Sequence, residues 1–529
     1  MRYVIAYDIG TTGVKSCLYR IGNKVEFVAG GYEGYNLYIL ENGGAEQDTE
    51  EWWSAMCVST RELFAKTTVK PEEVEGITFC SQMQGLVLVD KDGNALRRPM
   101  SYMDQRAGDV MKSEQGNFIK IAGLSIFKLL PSLIKTCAAP TSVKDPIWKY
   151  KWVEKYEPEV FAKIHCWLDV KEYLIGRCTG EFYMTPDSAY STFLYDSRKG
   201  KEGISKSLCK IYGVNDKHLP PIKKATEEFG KLTDKAAKEL GLKSGTAVYG
   251  GGGDATLIGI GAGCAEHGRT HIYSGTSGWV STITKKQVVD IDAMIAAIMS
   301  VEQGYYNYFA EMETAGKCFE WVKEHLALDE IDIYLNKINV VDSDETMYTS
   351  LYDYLTETVK KAKPGAGGVI FTPWLHGNRC PFESPDARGM FFNVGIETGK
   401  TEMIRAVLEG ICYHLCWMLE CQDKKVQTSQ TIRFVGGGAL SDVMCQILAD
   451  VTGRVIETID DPQDAGAAGA ALVAGIGLGE LTYQDIPKLV PAAHTYYPVE
   501  SNRVVYENNY KVFKTLYKNN KKAFEALNR

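Results

Sequence analysis

Apolar residues fall in short dense runs at the start of the chain and at wider spacing after it. In 3–8 (YVIAYD), 14–19 (VKSCLY) and 24–30 (KVEFVAG), β-branched and aromatic residues crowd six or seven positions, and the linking DIGTTG and IGN are turn formers. Three strands joined by tight turns predict an antiparallel meander. From residue 48 the period changes. Trp52, Met56, Ser59 and Leu63 keep helical spacing through Lys66, and Asp48 with Glu51 reads as a capping box. Strand character returns at 76–80 and 86–89, the second run ending in the turn residues Asp92, Gly93 and Asn94.

Three strands, a crossover helix and a further strand are the opening of a ribonuclease-H-like α/β unit. Residues 140–241 read as helical and loop-rich, with a break at Pro220 and Pro221. A strand resumes at 246–250 and runs into GGGGDATLIGIGAG (250–263); HIYSGTSGWVSTIT (271–284) then sets a second Gly/Ser/Thr turn between two β runs. YSGTSG at 273–278 echoes YDIGTTG at 7–13, which predicts an internal duplication with one hydroxyl-lined hairpin per domain and a boundary within 250–263.

Composition narrows the partners. A chain of 529 residues exceeds what one core serves, so two domains are expected. Lys and Arg total 59 against 67 Asp and Glu, a net charge of -8, which excludes a nucleic-acid or anionic-membrane footprint. The nearly uncharged stretch 465–479 is Ala- and Gly-built, too short and too weakly apolar to span a bilayer. With a strand at the very start in place of a signal segment, the expected location is the cytoplasm. Fourteen cysteines without a C-x-x-C pair read as reduced, buried residues. Cys412, His414, Cys416 and Cys421 are the nearest thing to a cluster, but the apolar helix 403–419 that carries most of them favours core packing over metal.

The chemistry concentrates in the turns. Backbone N–H groups of a Gly-rich hairpin approach an anion closely, and hydroxyls add donors, so Gly10, Thr11, Thr12 and Gly13 can cradle a phosphate. Lys15 can neutralise its charge, and Asp8 at a strand end can hold hydrated Mg²⁺. Asp254 follows four glycines and opens an apolar, helix-like run. The glycines suggest close approach of another molecule, and a carboxylate at a helix N-terminus should stay ionised and accept a hydroxyl proton. FVGGGALSDVMCQILADVTG (434–453) is a strand, a triple-Gly turn and a helix, as in many nucleotide-binding βα turns. GIGAG (259–263) lies inside the run after Asp254 and not between a strand and a helix start, which excludes a dinucleotide-binding dehydrogenase.

Taken in order, these segments resemble the FGGY family of carbohydrate kinases essentially end to end. DIGTTGVK (8–15) and SGTSG (274–278) are similar to the family's two phosphate hairpins, GGGD (251–254) to its catalytic-base motif, GGGALS (436–441) to its adenosine-side loop and DAGAAGAALVAG (464–475) to its closing helix. KDPIWKYKWVEKYEPEVF (144–161) and GMFFNVGIETGKTEMIRAVLE (389–409) resemble the two family signatures, the second with Asn393 where the pattern has Gly.

The resemblance implies an α/β protein of two actin/hexokinase/Hsp70-type ATPase domains, 1–253 binding sugar and 254–529 binding ATP. It implies an ATP- and Mg²⁺-dependent kinase of a ketopentose, D-xylulose foremost, and it admits a homodimer. Asp254 would be the catalytic base. Thr11, Thr12, Lys15, Gly275, Thr276, Gly436, Gly437 and Ser441 would hold the nucleotide, Asp8 the metal, and Met83, Gln84, Asp104 and Asp254 the sugar. Gln84 stands where the ketopentose branch typically carries His; Gln also donates and accepts, so which sugar is left open. L-xylulose, ribulose and erythritol are the alternatives within this chemistry. An actin- or Hsp70-like ATPase controlling protein binding is the alternative outside it, disfavoured by the small polar pocket that SQMQG and MDQR imply.

Overall fold

The computed structural model describes residues 2–22, 24–114, 120–121, 124–326 and 351–528. The opening meander forms as its pattern predicts. β1 (Arg2–Ile9) and β2 (Gly13–Ile21) are antiparallel with Asp8 opposite Lys15, and β3 (Val25–Gly34) extends the sheet. α1 (Thr49–Ala65) buries Trp52, Met56, Ser59 and Leu63. Only half of the expected capping box exists. Asp48 accepts from the Glu50 N–H at 2.9 Å, whereas Glu51 turns to the preceding loop, accepting from the Asn36 N–H at 2.9 Å and from the Tyr38 hydroxyl.

β4 (Val74–Ser81) returns parallel to β1. The helical region supplies α2 (Pro146–Tyr156), α3 (Val170–Thr179) and α4 (Pro186–Ser191), and β5 (Glu228–Lys231), β6 (Ala247–Tyr249) and β7 (Gly252–Gly253) finish a seven-stranded sheet of order β5-β6-β4-β1-β2-β3, with β7 paired to β4. α5 (Asp254–Gly261) leaves it.

The second half repeats the scheme. β8 (Thr270–Ser274) and β9 (Gly278–Thr284) form the hairpin, β10 (Val289–Asp290), β11 (Ile295–Met299) and β12 (Tyr306–Met312) follow, and α6 (Gly316–His325) and α7 (Lys400–Asp423) precede β13 (Thr431–Val435). α8 (Asp442–Thr452), β14 (Val455–Thr458), α9 (Ala465–Gly477), β15 (His494–Tyr496) and α10 (Glu500–Asn528) complete it. This eight-stranded sheet runs β10-β11-β12-β9-β8-β13-β14-β15. β8, β9, β12, β13 and β14 pair in the same senses as β1, β2, β3, β4 and β6, so the echo of YDIGTTG in YSGTSG is a repeat of topology.

α5 and α9 join the halves backbone to backbone. A Cβ at Gly261 would overlap the Ala465 carbonyl oxygen, and one at Gly469 the Leu257 carbonyl oxygen. Ala467, Ala470 and Ala471 of α9 share a core with Val4, Ala6 and Cys17 of the first sheet. The Ala/Gly stretch is therefore the joint of the molecule, and no described helix is long and apolar enough to cross a membrane. His414 spends both ring nitrogens in the second core: Nδ1 accepts from the Trp374 indole at 3.2 Å and Nε2 lies 2.7 Å from the Cys380 carbonyl oxygen.

Candidate active site

The first hairpin is closed by the Gly10 N–H on the Gly13 carbonyl at 2.9 Å. Its carbonyl oxygens are held from behind: Gln47 Nε2 donates to Thr11 at 2.6 Å, Gln82 Nε2 to Gly10 at 3.0 Å, and the Tyr35 hydroxyl also to Gly10. With the carbonyls engaged, Thr12 is left exposed and Thr11 half-buried, its Oγ1 3.4 Å from the Tyr102 hydroxyl. Lys15 is not free in the cleft. Nζ donates to Asp464 Oδ1 at 2.8 Å and to the Gln463 carbonyl at 3.1 Å, tying β2 to the start of α9. Burial raises the pKa of Asp8, opposed by the charge of Lys15 and by a hydrogen bond from the Cys80 thiol.

The second hairpin is built alike. Gly275 donates to the Ser277 carbonyl at 2.9 Å, and the start of α6 takes its outer carbonyls, Ala315 N–H on Thr276 at 3.0 Å and Gly316 N–H on Gly275 at 2.7 Å. Thr276 is exposed. Beneath it Tyr273 stacks on Trp279 with centroids 4.0 Å apart. Burial and the charges of Asp8 and Asp254 raise the Tyr273 pKa; burial, then Asp254, Glu311 and Glu313, raise that of Tyr102, which touches the first hairpin. A tyrosine at each hairpin thus feels the charge of Asp254, which puts both hairpins in one acidic neighbourhood. The triple-Gly turn docks on this unit: Gly436 has φ +91, and a Cβ there would lie 2.6 Å from the Ser274 carbonyl oxygen. Gly437 is exposed with open space beside it, and Ser441 caps α8 by accepting from the Met444 N–H at 3.3 Å.

Asp254 is the first residue of α5, and two expectations about it change. The four glycines before it serve the protein's own packing rather than the approach of a ligand. A Cβ at Gly250 would press on the Phe229 ring at 2.6 Å, one at Gly251 (φ +59) would overlap the Phe79 carbonyl, and one at Gly253 would overlap the Met83 sulfur. Nor does the carboxyl keep an ordinary pKa. Burial first, then the charges of Asp8, Glu311 and Asp169, push it up to about 7 against a hydrogen bond from the Ala255 N–H. Helix-end stabilisation is outweighed by low dielectric and like charge. The first turn of α5 is held by Asp187, whose Oδ2 accepts from the Gly253 N–H at 2.8 Å and from the Thr256 hydroxyl at 3.1 Å.

Met83, packed on Gly253, lies beside Asp254, and Gln84 follows with φ +63. Asp104 is a correction. Its side chain is 0% exposed, and its oxygens accept from the Ala45 N–H at 2.8 Å, the Arg106 N–H at 3.1 Å and the Arg106 guanidinium at 2.6 Å. It locks its own loop instead of facing a sugar, because an Arg two residues on supplies a closer partner than a ligand would. The cleft also contains groups that the motifs did not single out. Arg379 Nη1 donates to Glu311 at 2.9 Å, and Lys144 Nζ lies 3.7 Å from Glu313. Lys144 opens the stretch 144–161, and Tyr102 stands immediately before MDQR (103–106). Glu311 and Arg379 carry no local signal, coming from a strand and a loop that meet only in the fold.

A hydrated divalent cation needs one or two carboxylates and takes its other ligands from water and phosphate. Asp8 fits that requirement as a partly buried carboxylate at a strand end, its pKa raised by burial against the charge of Lys15, while its own charge helps raise Asp254.

Two repeated lobes with a hairpin each on a shared acidic cleft define a two-domain α/β phosphotransferase of the actin- and hexokinase-like ATPase fold. The sequence pattern of the FGGY family of carbohydrate kinases matches over both halves, its N-terminal domain at residues 3–261 and its C-terminal domain at 271–478. The chain therefore belongs to the FGGY family of carbohydrate kinases, ATP-dependent enzymes that phosphorylate sugars. It is 28% identical to a xylulose kinase of Staphylococcus epidermidis over 99% of this chain and 98% of that one. Among solved structures it resembles a xylulose kinase from Lactobacillus acidophilus (TM-score 0.84, 24% identity, 99% of this chain and 100% of that one). It also resembles a gluconate kinase from the same organism (TM-score 0.83, 25% identity, 99% of each chain). Asn393, where the family signature has Gly, adopts φ +65, a left-handed conformation that Asn tolerates better than other side chains, so that departure leaves the backbone intact.

Proposed function

We propose that the protein transfers the γ-phosphate of ATP to a terminal hydroxyl of a neutral ketopentose, D-xylulose in the first instance, with Asp254 as the base. The observation that carries this reading is the Asp254 carboxyl, set at a helix start between the two hairpins and with its pKa pushed up to about 7, where a general base works best near neutral pH. The sugar would lie by Met83 and Gln84 with its hydroxyl towards Asp254. Thr11, Thr12, Gly275 and Thr276 would line the phosphates, and Gly436, Gly437 and the Ser441 turn the nucleoside side. Mg²⁺ at Asp8 would spread the phosphate charge. Phosphoryl transfer is loose, so positioning and electrostatics carry more of the rate than the base's proton affinity.

Neutrality of the substrate is argued from charge. Arg379 and Lys144 are matched by Glu311 and Glu313, while Asp254 forms no ion pair among the described residues and Asp8 is opposed by a Lys15 already paired with Asp464. A sugar acid such as gluconate would bring a carboxylate into that field. The resemblance to a gluconate kinase makes this the comparison to run.

A panel of D-xylulose, L-xylulose, ribulose, erythritol and gluconate, read by ADP release, tests the assignment. D-xylulose should give the highest kcat/KM and gluconate the lowest. A preference for gluconate would overturn the charge argument, and near-normal turnover by Asp254→Asn would remove the base.

A further inference from the structure

Gln84 is held in a backbone conformation that disfavours its own side chain. A non-glycine residue at φ +63 is strained and persists only where its surroundings impose it. Here the imposition is visible atom by atom. Asp169 presents both carboxylate oxygens to successive amides, Oδ2 accepting from the Gln84 N–H at 2.9 Å and Oδ1 from the Gly85 N–H at 2.9 Å. On the other side Lys149 Nζ donates to the Gln84 carbonyl at 2.8 Å and to the Ser101 carbonyl at 2.7 Å. An acid grips the N–H of residue 84 and a base grips its C=O.

Both charges are in the interior. Lys149 is 0% exposed on α2 and Asp169 is 4% exposed ahead of α3, where it also takes the Val170 N–H at 2.8 Å. Burial drives both towards neutrality, Lys149 to about 8 and Asp169 to about 7. Burying two ions on either side of a peptide carries a desolvation cost whatever the peptide does, which makes the held geometry the feature to explain. A Gly at position 84 would have met the same φ without charges.

We propose that Lys149 and Asp169 are positioning residues for sugar recognition: together they clamp residue 84 in the left-handed conformation, so that its side chain is aimed before any sugar arrives. This rests on the reading that Met83 and Gln84 face the sugar. The clamp fixes the direction of the Cα–Cβ bond, and the identity of the side chain then sets which hydroxyl pattern is read. Preorganisation of this kind appears in sugar affinity, because the free protein has already met the ordering cost.

The test measures KM and kcat for the best sugar of the panel and KM for ATP in Lys149→Met and Asp169→Asn, each in the wild-type and Gln84→Gly backgrounds. Sugar KM should rise about tenfold in Lys149→Met and Asp169→Asn, with ATP KM unchanged and kcat within about threefold. In the Gln84→Gly background the same substitutions should raise it less than about threefold, because glycine enters that φ without steric cost and carries no side chain for the clamp to aim. An unchanged sugar KM, an equal rise in both KM values, or the same penalty in both backgrounds would overturn the clamp. If Asp169→Asn does not fold, Lys149→Met carries the same comparison. Met83→Ala and Gln84→Ala separate the two readings. If neither changes sugar KM, the sugar site is misplaced; if both do and the clamp variants do not, the clamp alone is wrong.

Discussion

Replacing Asp254 by Asn should make the protein more stable, and by an amount that depends on pH. The folded carboxyl titrates at about 7 against an ordinary 3.8, so the unfolded chain binds fewer protons than the folded one between those values. The sign follows. Below about pH 4 both states hold a neutral carboxyl and the residue costs nothing. Between about pH 4 and 7 wild type loses stability steadily as the unfolded carboxyl ionises. Above 7 the loss is constant. The full displacement corresponds to at most ~4 kcal/mol, and partial solvent access to the side chain brings the working figure to about 2 kcal/mol. Asn has the same shape and no charge, so it escapes the penalty. Spread over a lobe of roughly 250 residues, 2 kcal/mol shifts Tm by ~4–8 °C. Thermal unfolding of both proteins at pH 4.5, 6, 7 and 8, without nucleotide or divalent cation, measures it. The gain from Asp254→Asn should be about a quarter of its full value at pH 4.5 and approach its plateau at pH 7–8. A gain that is uniform with pH, or largest in acid, would refute the reasoning, since it would show that the carboxyl is not strained by its surroundings.

Three further outcomes follow from named contacts. On the proposed reading Asp8→Asn should raise the Mg²⁺ concentration for half-maximal rate at least about tenfold and move the acid limb of the rate profile down in pH, because one like charge is taken from Asp254; an unmoved limb breaks the link between the two. Gly469→Ala puts a methyl into the Leu257 carbonyl across the joint and should cost ~1–3 kcal/mol in urea unfolding, whereas Gly437→Ala, which meets nothing, should cost little. Lys15→Met breaks a partly exposed ion pair with Asp464 worth at most ~1 kcal/mol, so it should cost little stability and leave ATP KM within about threefold; a roughly tenfold rise in ATP KM would show that Lys15 leaves Asp464 for the phosphate.

What the sequence disclosed, and what it withheld, divides along the range of the forces involved. The hairpins, the capping of α1 by Asp48 and the strand before Asp254 depend on neighbours a few residues away, so periodicity and turn chemistry locate them. The duplication was legible because it is written twice. The meaning of glycine was not. Four in a row before Asp254 look like room for a ligand, yet Phe79 and Met83 fill that room, and nothing near residue 251 in the sequence announces a strand from residue 79. Asp104 failed for the opposite reason. Its partner stands two positions away, but only the fold shows that Arg106 closes on it, in the interior and out of reach of a sugar. Electrostatics escaped entirely: the rise of Asp254 to about 7 needs Asp8, Glu311 and Asp169 to converge from separate elements.

That convergence also bears on how a triphosphate can enter a cleft already rich in carboxylates. Lys15 is spent on Asp464, Arg379 on Glu311 and Lys144 on Glu313, so no described ammonium or guanidinium on this list faces the hairpins unmatched. On the proposed reading, attraction for phosphate would then come from the N–H and hydroxyl dipoles of the two hairpins and from the cation that arrives with the nucleotide. Such a site discriminates by charge count. On the proposed reading, a nucleotide already neutralised in part would approach Asp8 and Asp254, a bare one would meet repulsion, and an uncharged sugar would be sorted by hydrogen bonds. The same excess of negative charge that unsettles Asp254 thus divides the labour of recognition, electrostatics for the donor and shape for the acceptor.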